Sequence, residues 1–278
     1  MLVRILTGAV ALIIFIPVLF FSHTFIFDFT IAIISLVAIF ELLRCVNIMP
    51  KYAISIPSLF VGFIIPLLYR YINKEAIVLI VIVYLFWLLY SSVFSRNKHS
   101  TAAISLAFFC TVYVTISFTS ILITRSLPHG DVIYLMIFIA AWSTDTFAYF
   151  TGNFFGKHKL IPEISPKKTI EGTIGGIIFC SLAFIVYGYI MANIFDKIDA
   201  EPSYIALGIA GVIVSIIAQL GDLAASAIKR NYNTDDFGSI FPGHGGIIDR
   251  FDSVMAVAPV IMLIVSIFLK SENYGLFK

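Results

Sequence analysis

Charge is scarce in this chain. Only 12% of its 278 residues are charged, about half the share of an ordinary soluble domain, while 60% are apolar and the mean hydropathy is +1.02. A soluble globule cannot hide that much apolar surface, and a disordered chain would not carry it. Cysteine is nearly missing: Cys45, Cys110 and Cys180 lie far apart in apolar contexts, with no C-x-x-C spacing. That excludes a disulfide scaffold and a cysteine zinc site, and leaves three small buried residues. An excess of one charge sign is also lacking. The net charge of +2, from 18 Lys+Arg and 16 Asp+Glu, gives no electrostatic footprint for nucleic acid. No internal repeat or low-complexity segment is visible, which weakens a transporter built from repeated halves.

What remains is a series of apolar runs separated by short polar breaks. The runs do not alternate, so they read as helices and not as barrel strands. At about 20 residues per span, the sequence predicts an all-α, polytopic membrane helical bundle. About nine spans are expected, at 5–21, 25–43, 53–69, 76–94, 102–124, 131–154, 173–195, 203–228 and 246–269. The first follows Arg4 like a signal peptide, but no small-x-small cleavage site comes after it, so it is read as a retained span. The whole of 1–278 is read as one membrane-embedded domain, with N-terminal spans over 1–130 and a motif-bearing half over 131–278. Two-thirds of the cations fall on one side of these spans, leaving Arg70, Lys74, Arg125, Lys197, Lys270 and Lys278 on the other. The positive-inside rule makes the richer side cytoplasmic.

Three clusters break the apolar pattern toward that cytoplasmic side. In the first, Asp145, Tyr149, Gly152 and Gly156 recur at one helical face. An acid in a span costs roughly 2.5–3.5 kcal/mol at the centre, so Asp145 is either a structural acid paired with a neighbouring helix or the polar floor of a site. The second is the basic loop from Lys157 to Gly172. Its Ser165-Pro166 is read as an N-cap and first helical position, with Lys167 and Lys168 beside it to attract an anion. A basic loop can also be only a topology signal.

The third cluster runs from Gly221-Asp222 to Asp252. On a helix, Asp222, Ser226, Lys229 and Arg230 form one polar stripe. The turn His244-Gly245-Gly246 precedes the last span, and its backbone N–H groups are expected to offer a seat for phosphate. Asp249 and Asp252 follow, one turn apart. Carboxylates, cations and a glycine turn together suit Mg²⁺-dependent phosphate chemistry, because Mg²⁺ takes one or two carboxylates plus phosphate oxygens and water.

The stretch Ser226-x-x-Lys229-Arg230-x4-Asp235-Asp236-x-Gly238-x2-Phe241-Pro242-x-His244-Gly245-Gly246-Ile247-x-Asp249-Arg250-Phe251-Asp252 closely resembles the signature of the phosphatidate cytidylyltransferases, also called CDP-diacylglycerol synthases. Ser165-Pro166-Lys167-Lys168-Thr169-x-Glu171-Gly172 and Asp145-x3-Tyr149-x2-Gly152 resemble that family's other two blocks. One position departs: Asp235 stands where the family usually has Lys. The first 130 residues match only as a generic set of spans.

The resemblance implies transfer of a cytidylyl group from CTP to phosphatidate, giving CDP-diacylglycerol and pyrophosphate. It implies Mg²⁺ in a centre resembling a two-cation site, with Asp222 and Asp249 as metal ligands. Asp222, Asp249, Lys229 and Arg230 are then expected to be catalytic. Substrate binding is expected from Asp145, Ser165, Lys167, Lys168, Glu171, Ser226, Asp236, His244, Gly245, Gly246, Arg250 and Asp252. The expected setting is a bacterial inner membrane with the site facing the cytoplasm, membrane lipids around it, no nucleic acid partner, and a homodimer. Two alternatives stay open: a related CTP-dependent membrane enzyme acting on another lipid phosphate or a polyprenol, and an ion-coupled transporter using Asp145 and Asp222.

Overall fold

The computed structural model describes residue 13 and residues 15–94, 100–195, 202–241, 243 and 245–268. In chain order the elements are α1 (Phe25–Cys45), α2 (Tyr52–Leu68), α3 (Lys74–Phe94), α4 (Thr101–Arg125), the short α5 (Gly130–Ile133), α6 (Leu135–Phe155), β1 (Lys159–Ile161), β2 (Ser165–Thr169), α7 (Ile170–Asn193), α8 (Tyr204–Asn231) and α9 (Ile248–Phe268). Seven of the described helices, counting α5 with α6 as one, are long and apolar enough to cross a membrane. The chain is an integral membrane helical bundle. The expected span at 53–69 becomes α2, whose 17 residues rise only about 26 Å, short of the roughly 30 Å hydrocarbon core. Most of the expected span at 5–21 lies outside the described residues.

The chain forms two compact units. The first comprises residues 1–122 and 231–251. Here α1 packs along α2. Pro57 lies inside α2 and has no N–H to give the carbonyl four residues back. That carbonyl, on Ala53, instead accepts Trp87 Nε1–H from α3 at 2.8 Å. The buried Tyr84 hydroxyl ties three helices, lying 2.7 Å from Ser58 Oγ on α2 and 3.0 Å from Thr111 Oγ1 on α4. Asp28, buried on α1, pairs with Arg70 at 3.1 Å. A lone buried charge would be far costlier than this pair.

The second unit comprises residues 123–230 and 252–278. Its main contact is α6 against α7, and small residues bring the two backbones together. A Cβ on Gly172 would sit 2.7 Å from the Ala148 carbonyl, and one on Gly176 would sit 3.1 Å from the Thr144 carbonyl. Thr144 Oγ1 donates to Ser215 Oγ of α8 at 3.0 Å, and Ser181 Oγ of α7 donates to the Gly208 carbonyl of α8 at 2.9 Å. In apolar surroundings each hydroxyl has to find such a partner.

Candidate active site

The second unit holds an open cavity of about 520 Å³ where α6, the β1–β2 hairpin, α7 and α8 meet. Asp145, Tyr149, Gly152 and Gly156 all line it, so the spacing read from the sequence does place one face of α6 there. Asp145 borders the cavity, and it also accepts the Ser253 hydroxyl of α9 at 3.1 Å.

The hairpin corrects one expectation. Ser165-Pro166 does not start a helix; Ser165–Thr169 is a strand paired antiparallel with β1. A residue before proline is pushed toward extended backbone, and pairing with β1 gives that backbone its partners. The cap is Thr169 instead. Its backbone is extended (φ −125°, ψ 155°), its Oγ1 accepts the Gly172 N–H at 3.1 Å, and α7 starts at Ile170. Glu171 fastens the hairpin from the first turn of α7: Oε1 lies 2.7 Å from His158 Nδ1, and Oε2 accepts the His158 N–H at 3.3 Å.

The strand conformation carries Ser165, Lys167 and Lys168 to the cavity, where Lys157 and Lys159 join them. Asp222 of α8 reaches in from the opposite wall, its Oδ2 2.5 Å from Lys168 Nζ. Ser226, one turn later, donates to Asp222 Oδ1 at a long 3.5 Å. Asp145, Asp222 and Asp252 lie within electrostatic reach of one another, and Lys229 within reach of Asp252. With four lysines against Asp145 and Asp222 on its walls, the cavity attracts a polyanion.

The first unit holds the glycine-rich loop and corrects a second expectation. His244 lies outside the described residues, while Gly243 and Gly245 take the left-handed backbone (φ 77° and 81°) that favours glycine. The N–H groups of Gly246, Ile247 and Ile248, at the start of α9, already have acceptors within the chain. Ile247 N–H donates to Glu41 Oε1 at 3.1 Å and Ile248 N–H to Glu41 Oε2 at 3.0 Å. Asp249 Oδ2 takes two more, from Phe237 and Gly246, both at 2.9 Å. The chain's own carboxylates thus fill the positive end of the helix. Asp236 stands beside Gly245, and Asp236, Arg230 and Arg250 are exposed.

The model of the cytidylyltransferase family matches residues 2–268. The chain belongs to that family. Similar relatives include the phosphatidate cytidylyltransferases of Bacillus subtilis (strain 168), 35% identical over 277 residues, and of Staphylococcus aureus (strain COL), 39% identical over 273. That of Staphylococcus haemolyticus (strain JCSC1435) is 38% identical over 269 residues. Each alignment covers 95% of this chain, and 97%, 98% and 98% of the respective relative. The match therefore includes the N-terminal spans that carry no motif.

The structure gathers Asp145, Ser165, Lys167, Lys168 and Asp222 in the cavity of the second unit, with Ser226 at the back of Asp222. Asp236, Gly245, Gly246 and Asp249 gather around the loop of the first unit. Sequence reading passed over Lys157, Lys159, Asn153 and Gln219 on the cavity wall, and Glu41 at the α9 start. The lysines looked like topology signals. Glu41 had a usable signal, an acid inside an apolar run, the same that drew attention to Asp145.

Proposed function

We propose that this protein transfers the cytidylyl group of CTP to phosphatidate, releasing pyrophosphate and forming CDP-diacylglycerol. The observation that carries this reading is the lysine-lined cavity, with Asp222 bound to Lys168, inside a bundle of apolar helices. A lipid acceptor accounts for a nucleotide site built into membrane helices, and a triphosphate accounts for the lysines.

A phosphate oxygen of phosphatidate attacks the α-phosphorus of CTP in line. One P–O bond forms as the α–β phosphoanhydride bond breaks, and the electron pair leaves with pyrophosphate. The attacking phosphate is already ionised at neutral pH, so no strong general base is needed. The protein's task is to hold two anions together and neutralise the charge that builds up. Lys157, Lys159, Lys167 and Lys168 neutralise phosphate oxygens. Asp222 holds Lys168 until substrate takes its place.

The donor set fits Mg²⁺ arriving with its nucleotide. Asp222 offers hard carboxylate oxygens beside a cavity that admits phosphate, and among the described residues no group of three or more His, Cys, Asp or Glu could hold a metal by itself. A Mg²⁺ ion held there would supply charge stabilisation at the α-phosphate of CTP as it is attacked. Asp249 is assigned as a second ligand on the strength of the motif. On this reading the site faces the cytoplasm from a bacterial inner membrane, an orientation that the cation-rich loops support through the positive-inside rule. The homodimer belongs to the same reading, and light scattering of the detergent-solubilised protein tests it.

Purified protein with labelled CTP is the direct test. Pyrophosphate release that requires both phosphatidate and Mg²⁺ is expected. Release without a lipid phosphate, or only with an ether-lipid or polyprenyl acceptor, overturns the assignment.

A further inference from the structure

Glu41 stands on α1, in the half of the chain that carries none of the motifs, and it is 1% exposed. Its two oxygens divide the work, one accepting Ile247 N–H and the other Ile248 N–H. The loop closes tightly on it: a Cβ on Gly238 or on Gly246 would collide with the Glu41 carboxylate. One turn further along α1, Arg44 Nη2 donates to the Phe237 carbonyl at 3.0 Å, while the Phe237 N–H goes to Asp249. The peptide groups around Phe237 are therefore held from α1 on one side and by Asp249 on the other. Both oxygens of this carboxylate accept from backbone, and at 1% exposure Glu41 gives a ligand no access. What it does fix is the entry into α9 and the direction of the acid two residues inside that helix.

We propose that Glu41 is a positioning residue for cytidylyl transfer: it clamps the 237–249 loop and so sets the orientation of the Asp249 carboxylate. This rests on the reading that Asp249 serves the reaction. Without Glu41, Ile247 and Ile248 N–H lose their acceptor in a buried place, and Asp249, which already accepts the neighbouring Gly246 N–H, is drawn toward them and away from its present bonds.

The test compares wild type, Glu41→Gln and Glu41→Ala as full-length protein in nanodiscs. Gln keeps the volume and one acceptor oxygen but turns an N–H donor toward the second amide. The expected result is a kcat lowered about 10–100-fold, the usual scale for losing an orienting partner. KM for phosphatidate should stay within about threefold, and backbone hydrogen exchange over 237–248 should be faster. A merely structural role lowers the yield of folded protein while the folded fraction keeps its kcat, and that overturns the proposal. Wild-type kcat alongside accelerated exchange overturns it too, as does unchanged exchange. If neither Glu41 variant folds, Arg44→Met reads the same clamp through its bond to Phe237, and the same kcat and exchange outcomes decide. Failure of the underlying function shows separately, as a wild-type protein that releases no phosphatidate-dependent pyrophosphate.

Discussion

In the second unit the start of α7 is capped by a neutral hydroxyl, Thr169, and the positive charge is left to lysine side chains around a cavity. In the first unit the start of α9 is capped by a full carboxylate, Glu41, and the loop before it is bound up with Asp249. Both starts looked alike as anion seats, a small or glycine-rich turn before an apolar helix. At each start, amides that a phosphate could have used are already taken: Ile170 and Gly172 N–H at α7, and Gly246, Ile247 and Ile248 N–H at α9. The attraction for an anion is placed on long side chains that can move, and at the α9 start the backbone is spent on holding acids in place. A mobile cation can exchange one partner for another during turnover, as Lys168 would exchange Asp222 for phosphate, whereas a buried amide cannot lose its acceptor cheaply.

The largest effect expected from this contrast is at Asp222. Asp222→Asn should lower CTP incorporation about 10²–10³-fold or more, the scale of losing a charge-stabilising group at a reaction centre, while the protein still inserts and purifies. Near-normal incorporation would break the cavity's claim to be the reaction centre. Lys168→Gln comes next. It removes the partner of Asp222 and one charge-assisted bond to phosphate, and should cost about 10–100-fold in kcat/KM for CTP. An unchanged kcat/KM would show that the Lys168–Asp222 pair is only structural.

Lys159→Ala should do less, because the residue is exposed and screened. A rise of about 3–10-fold in KM for CTP is expected, shrinking as salt is added. A rise that salt leaves untouched would argue against a purely electrostatic role. The smallest effect is at Asp235, where the family usually has a base. Asp235→Lys should leave the steady-state rate intact or raise it slightly, and a large loss would give Asp235 an active role.

The spans were legible because burial in lipid demands long apolar runs: seven of the eight expected spans from 25–43 onward have a helix long enough to cross, and the one at 53–69 has a helix that falls short. The α6 face was legible because i, i+4, i+7 and i+11 hold on any helix. The β1–β2 hairpin was not: Ser165-Pro166 is compatible with a cap and with an extended pair, and only the segment 159–161 folding back decides between them. Glu41 was not legible either, because its partners, the amides of Ile247 and Ile248, lie about 200 positions away and leave no mark in side-chain type.

The sequence by itself determined that this is a membrane-embedded bundle, which residues carry charge into it, and which motifs they form. Apolar length, charge cost and residue order are local properties. Tertiary structure alone decided that Lys157 and Lys159 share a cavity with Asp222, and that the helix start beside the glycine turn is closed by Glu41. An acceptor for a buried amide can come from anywhere in the chain, so which group fills it is settled by folding and not by spacing.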